Sequence, residues 1–363
     1  MQNNSSLIPE LQNYRLSFFQ ILIVIWSLTN ILFGGILITE GLYINHILVV
    51  LLFIAAVLVK PKIFSYKVFW LIVMIMLIFS IGSYLVNGLT NPRFLQEHLK
   101  LLLILIGSLA ICNSMNWKIA NILMSLLPII IFIQALVVYL LDLGYYYGNS
   151  MNFGIPIFGG PNTTGFVLSL ALCATMYNIF DSKKSPIFRI YSVLLFLGLF
   201  LILYNTYSAA AFICSLFVFL RYFGLKLNYI FYISFFILLT SLFLIWSGSI
   251  VIPELFGTGR VFIWALLLSD FIFSSPINWI FGFGPGGVNI EPDFTKIVQS
   301  AHSTYIEVLY SYGLLGLSLL IWLINLVYKK IKKQFIPLNE KKLIDSIFLV
   351  VFLSFLFDTH ILT

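Results

Sequence analysis

Long apolar runs recur along nearly the whole chain, and they dictate the solvent in which it folds. Runs of ~18 or more apolar residues read as membrane spans, and in hydrocarbon a helix is the simplest way to satisfy every backbone amide within one segment. Only 9% of the 363 residues are charged and 61% are hydrophobic, against about 25% charged in soluble proteins. A water-soluble domain is therefore excluded. Eleven spans are expected, at about 18–38, 42–59, 68–86, 99–112, 119–141, 165–180, 190–203, 206–220, 229–246, 304–328 and 343–359. The fourth, seventh and eighth are short, and only a brief polar turn separates the last two of these. The expected fold class is an all-α polytopic integral membrane protein with about eleven (ten to twelve) transmembrane helices. It is organised as an N-terminal bundle of about nine spans (1–246), a large outer loop (247–301) and C-terminal spans (302–363), together one membrane domain.

Basic residues set the expected orientation. With the N-terminus in the cytoplasm, 16 of the 20 Lys and Arg fall on the inner side, which the positive-inside rule favours over the reverse. The net charge of +7 is thus mostly topological and does not point to nucleic acid. The C-terminus falls outside. The first span is too long for a cleavable signal peptide, and Ile38-Thr39-Glu40 is not a small-residue cleavage site. Cys112, Cys173 and Cys214 match no metal or redox spacing and read as buried small hydrophobes.

Two outer segments have room for a site: 142–164, rich in Tyr, Gly and Asn, and the 55 residues of 247–301. Structureless loops beyond ~15 residues are uncommon unless functional. Within the second, Val261–Phe273 and Ile277–Phe283 are apolar but too short to span, as expected of helices on or dipping into the outer leaflet. Arg93, Lys100, Arg260 and Lys296 stand outside against the charge bias, which points to an anionic partner there. Arg260 follows Gly257-Thr258-Gly259 and opens an apolar helical segment. Free N–H groups and the dipole at such a terminus favour an anion, although a snorkelling arginine on lipid phosphate fits equally well. Apart from Glu307 near an outer end and Asp345 near an inner end, the spans carry no Asp, Glu, Lys or Arg at mid-depth, where ion-coupled transporters place them.

Local signals refine the loop and the tenth span. Thr304-Tyr-Ile-Glu307 fits a capping box, which starts a helix at Ser303 or Thr304 and gives Glu307 a capping role. His302 then sits just before the first turn, at the interface. Gly313 and Gly316 allow close approach of a neighbouring helix. Gly282-Phe-Gly-Pro-Gly-Gly287 lacks the Lys-Ser/Thr ending of a nucleotide P-loop and reads as punctuation that re-aims the chain. Glu291 and Asp293 are a weak cation site, and no Asp-x-Asp of a metal-dependent sugar transferase occurs in the outer loops. Gly159-Gly-Pro-Asn162 reads as a turn and a helix cap.

Taken in order, these pieces resemble the O-antigen ligase / O-antigen polymerase superfamily. Its signature His-[Asn/Ser/Gln]-x9-Gly-x-x-Gly is matched by His302, Ser303, Gly313 and Gly316; its Gly-Arg-x-x-x-Trp by Gly259, Arg260 and Trp264. Phe281-Gly-Phe-Gly-Pro-Gly286 and Pro161-Asn162 match two further elements, so the resemblance covers roughly 155–320. It implies a GT-C-like, metal-independent and cofactor-free glycosyltransferase in the bacterial cytoplasmic (inner) membrane. The donor would be an undecaprenyl-diphosphate-linked oligosaccharide on the outer leaflet, and the acceptor a glycan or lipid A-core. Membrane lipids, a chain-length regulator and a flippase would be its partners. His302 and Arg260 take the catalytic positions; Arg93, Lys100, Lys296, Ser303, Asn162 and Trp264 are the candidates for holding diphosphate and glycan. One position departs: where many members carry Ser-Arg, this chain reads Tyr207-Ser208-Ala209-Ala210. Either Arg93, Lys100 or Lys296 supplies the charge, or Arg260 acts alone.

Three functions compete. A polymerase of repeat units for O-antigen, capsule or exopolysaccharide is favoured, because the Ile/Phe/Lys-rich composition and short loops fit many polymerases. A ligase transferring glycan to lipid A-core is the alternative. A lipid-linked oligosaccharide flippase would show a charge-lined cavity or inverted repeats, and the sequence displays neither.

Overall fold

The structure is a computed structural model, and it describes residues 18–33, 37–39, 42–59, 117–143, 154–155, 161–226, 260–284, 303–333 and 337–357, with isolated positions in 70–81 and 229–232. Ten helices are described: α1 (Phe18–Phe33), α2 (Ile44–Val59), α3 (Trp117–Leu140), α4 (Pro161–Phe180), α5 (Pro186–Asn205), α6 (Ala209–Tyr222), α7 (Arg260–Phe273), α8 (Pro276–Phe281), α9 (Thr304–Lys333) and α10 (Leu338–Phe357). A short antiparallel pair, β1 (Leu37–Thr39) and β2 (Leu42–Tyr43), sits between α1 and α2 and sets Leu37 opposite Tyr43. It is a small exception among the described residues, which are mostly helical. Among the described residues, α3, α4, α5 and α9 are long and apolar enough to cross a membrane. The expected spans at 68–86, 99–112 and 229–246 lie outside the described residues.

α4 is the hub. It packs against α3, α5, α6 and α10, and 72% of its apolar window is buried against 22% for α5. Composition explains the difference. α4 carries Gly165, Ser169, Ala171, Ala174 and Thr175, small residues that let backbones approach. A Cβ on Gly165 would stand 2.6 Å from Ala211 Cβ of α6. One turn on, Ser169 Oγ donates to the Gly165 carbonyl or meets Ser215 Oγ at 2.9 Å across the same seam. α5 is instead dominated by large apolar residues, of which Ile190, Leu194, Leu197 and Leu201 are exposed. In lipid such a face needs no protein partner. α5 extends beyond the expected 190–203 because Ser185 caps it, accepting from the Phe188 amide, with Pro186 pre-set for the first turn.

Polar contacts mark the two ends of this bundle. At one, Lys184 donates to Ser125, Asn339 to the Tyr177 carbonyl and Lys342 to the Tyr222 carbonyl at 2.8 Å. There too Arg221 and Asp345 form an ion pair at 2.7 Å, their side chains only 10% and 8% exposed. These lysines and Arg221 belong to the set that the sequence assigns to the inner face. At the other end lie Ile155, Asn162, Thr164, Thr206 and Ser208, joined by hydrogen bonds. The ends of these helices thus group into two polar sets, one of which holds the basic residues.

Candidate functional site

α7 and α8 come from the apolar pieces of the large loop, and they dock on the first half of α9. The α7–α8 corner is turned by Ser274-Ser275-Pro276, with Ser275 at the helix start and Pro276 in its first turn. Trp279 Nε1 donates to the Phe271 carbonyl at 2.8 Å, which closes the corner. Ile263, Leu267 and Phe271 of α7 then pack with Tyr310 of α9, flanked by Ile306, Leu309 and Phe283.

α9 is two helices, not one. Gly313 has φ 66° and ψ −169°, a conformation open essentially to glycine alone. Against this break lies the end of α8. A Cβ on Gly313 would stand 2.3 Å from the Ile280 carbonyl oxygen, and one on Gly282 2.4 Å from the Ser311 carbonyl carbon. The backbones cross in contact, and the freed groups are used. The carbonyls of Tyr310 and Ser311, which an unbroken helix would direct at Leu314 and Leu315, accept the N–H groups of Phe283 at 2.8 Å and Gly284 at 2.9 Å. The Phe283 ring stacks on Tyr310, centroids 4.4 Å apart. Gly316 has a separate reason to be glycine: past the break, a Cβ there would meet Tyr312 Cβ at 2.3 Å. Close approach at Gly313 was expected from the sequence; the break itself was not.

Burial divides α9 in the same place. From Ser303 to Gly313 no residue is exposed, whereas Leu314, Leu315, Ser318, Ile321 and Trp322 are. The first half is held by protein, and the second half presents an exposed, mostly apolar flank.

The expected site residues distribute as follows. Arg260 is the first residue of α7. Trp264, one turn on, is half-buried. Ser303 caps α9: its carbonyl accepts the Glu307 amide at 2.9 Å, and its buried hydroxyl has no hydrogen-bond partner among the described residues. The start at Thr304 agrees with the range expected from the capping signal. His302, Arg93, Lys100 and Lys296 lie outside the described residues, as do Glu291 and Asp293. Asn162 corrects one expectation. It sits inside the first turn of α4 rather than capping it, and its side-chain carbonyl accepts from Ser208 Oγ at 3.0 Å. Ser208 in turn caps α6, next to Tyr207 with φ 51°. Asn162 at the start of α4 and Ser208 before α6 are therefore neighbours in space, joined by an amide–hydroxyl pair.

Sequence reasoning missed two residues that the fold brings together. Tyr310 donates through its hydroxyl to Asp270 Oδ2 at 2.5 Å, tying α7 to α9. The two stand 40 positions apart, and no local pattern announces such a pair. No family model, curated protein or solved structure matches the chain.

Proposed function

We propose that the chain is a membrane glycosyltransferase that polymerises undecaprenyl-diphosphate-linked oligosaccharide repeat units on the outer face of the cytoplasmic membrane. One observation carries this reading. The helix that opens on Arg260, the Gly282–Gly284 turn and the half-helix that opens just after His302-Ser303 are parts of one packed unit. Sequence elements dispersed over about fifty-five residues are thereby packed together, as a site for oriented reaction requires.

In the reaction, an acceptor hydroxyl attacks the anomeric carbon of the donor. The carbon–oxygen bond to the diphosphate breaks, and lipid diphosphate leaves with the electron pair. His302 accepts or orients the acceptor proton, as an imidazole can near neutral pH. Arg260, at a helix N-terminus, stabilises the charge that develops on the leaving diphosphate. The Asn162–Ser208 pair offers neutral hydrogen bonding where many members of the family carry an arginine.

The test mixes purified protein with undecaprenyl-diphosphate-linked repeat units, without metal or nucleotide, and resolves the products by size. A ladder is expected. His302→Ala should lower its rate by about 10²–10⁴-fold, and Arg260→Ala by about 10²–10³-fold. Transfer only after lipid A-core is added would make the protein a ligase instead. Inactivity of well-folded protein with both acceptors would reject the transferase reading.

A further inference from the structure

The reaction just described needs the helix of Arg260 and the half-helix beside His302 held in a fixed relation. Apolar contact alone is non-directional and lets packed helices slide or rotate. Between α7 and α9 that contact is made by Ile263, Leu267 and Phe271 with Tyr310. A directional element across that contact is the hydrogen bond from the Tyr310 hydroxyl to Asp270. Hydrogen bonds to a carboxylate are short and roughly twice as strong as neutral ones.

Tyr310 is itself fixed three ways. It is 8% exposed, its ring lies on Phe283, and its carbonyl accepts the Phe283 amide. Asp270 lies on the exposed side of α7, ten residues and roughly 15 Å along the helix from Arg260. That separation takes it out of bond-breaking at Arg260 and gives it leverage over where the helix start points.

We propose that Asp270 is a positioning residue: by holding the Tyr310 hydroxyl, it fixes the helix that opens on Arg260 against the half-helix that opens after His302. This rests on the transferase reading above. A small rotation of α7 about the Asp270 end displaces its N-terminus, and a misplacement of ~1 Å in a reacting geometry costs on the order of 10²-fold in rate.

Asp270→Ala, Asp270→Asn, Tyr310→Phe and the Asp270→Ala/Tyr310→Phe double variant would be assayed for ladder formation. Amide exchange over 260–273 and 304–312 would be followed on the same preparations, with 161–180 as the folding control. Asparagine retains an oxygen that accepts from Tyr310. Asp270→Ala and Tyr310→Phe should each lower kcat by about tenfold or more with donor KM little changed. The double variant should be no slower than the slower single one, and Asp270→Asn should recover most of the rate. Exchange over 260–273 should quicken in the Ala and Phe variants only. An Asp270→Asn protein as inactive as Asp270→Ala, beside a fully active Tyr310→Phe, would mean the carboxylate acts by itself and would overturn the proposal. Wild-type turnover in both the Ala and Phe variants would overturn it too. A wild-type protein inactive with both acceptors rejects the transferase reading instead; the exchange data then stand alone, and unchanged exchange rejects the clamp.

Discussion

Arg221 and Asp345 show how single residues are constrained inside this protein. Two opposite charges in a low-dielectric interior lose much of their hydration, and their mutual attraction and hydrogen bonds barely offset that loss. Here Nε and Nη2 of Arg221 both donate to Asp345 Oδ2, at 3.1 and 2.7 Å. Removing one partner strands the other. Asp345→Ala is expected to cost about 3–5 kcal/mol, whereas Arg221→Met with Asp345→Leu should retain most of the stability. Unfolding titrations in mixed micelles would measure both, and equal losses would reject the argument. Asp345 was legible in sequence as a charge near an inner end, but not its partner, which lies 124 residues away. The same limit hid Ser208 from Asn162 and Asp270 from Tyr310. Composition and spacing report what a residue is and what its near neighbours are; they carry no term for which helix it faces.

Helices were far more legible than contacts. Apolar length placed α3 to α6, α9 and α10 within a few residues, and the short apolar pieces of the outer loop emerge as α7 and α8. A boundary followed capping chemistry where it was strong, as at Ser185-Pro186. The break in α9 escaped notice because hydropathy runs through it without interruption and no proline stands there. A lone glycine in an apolar helix has the same appearance whether it serves packing or a left-handed turn. Gly313→Ala separates these roles. An L residue in that conformation costs on the order of 1–3 kcal/mol, and its Cβ would collide with the Ile280 carbonyl. Amide exchange over 274–284 should then accelerate by about tenfold or more, while 161–180 keeps its protection. Unchanged exchange in 274–284 would show that the break tolerates a side chain.

The described residues divide into a bundle centred on α4 and a second unit built from α7, α8 and the first half of α9. Sidedness is testable at exposed positions of the described bundle. In a background with Cys112, Cys173 and Cys214 replaced by serine, Tyr207→Cys should react with an impermeant maleimide on intact cells. Lys226→Cys should react only after permeabilisation; the opposite pattern would invert the assigned orientation. Within the second unit, the joint between α8 and α9 has a further consequence. It is made from main-chain groups, Phe283 and Gly284 N–H to Tyr310 and Ser311 C=O, and main chain is common to every residue type. Its chemical identity is therefore carried by the places where no side chain fits, Gly282 and Gly313, with Gly316 beyond them. Surrounding residues can drift while the joint keeps its shape, so its record in a sequence is a rhythm of empty positions, and ancestry for chains of this kind would be better traced by the spacing of glycines than by the letters between them.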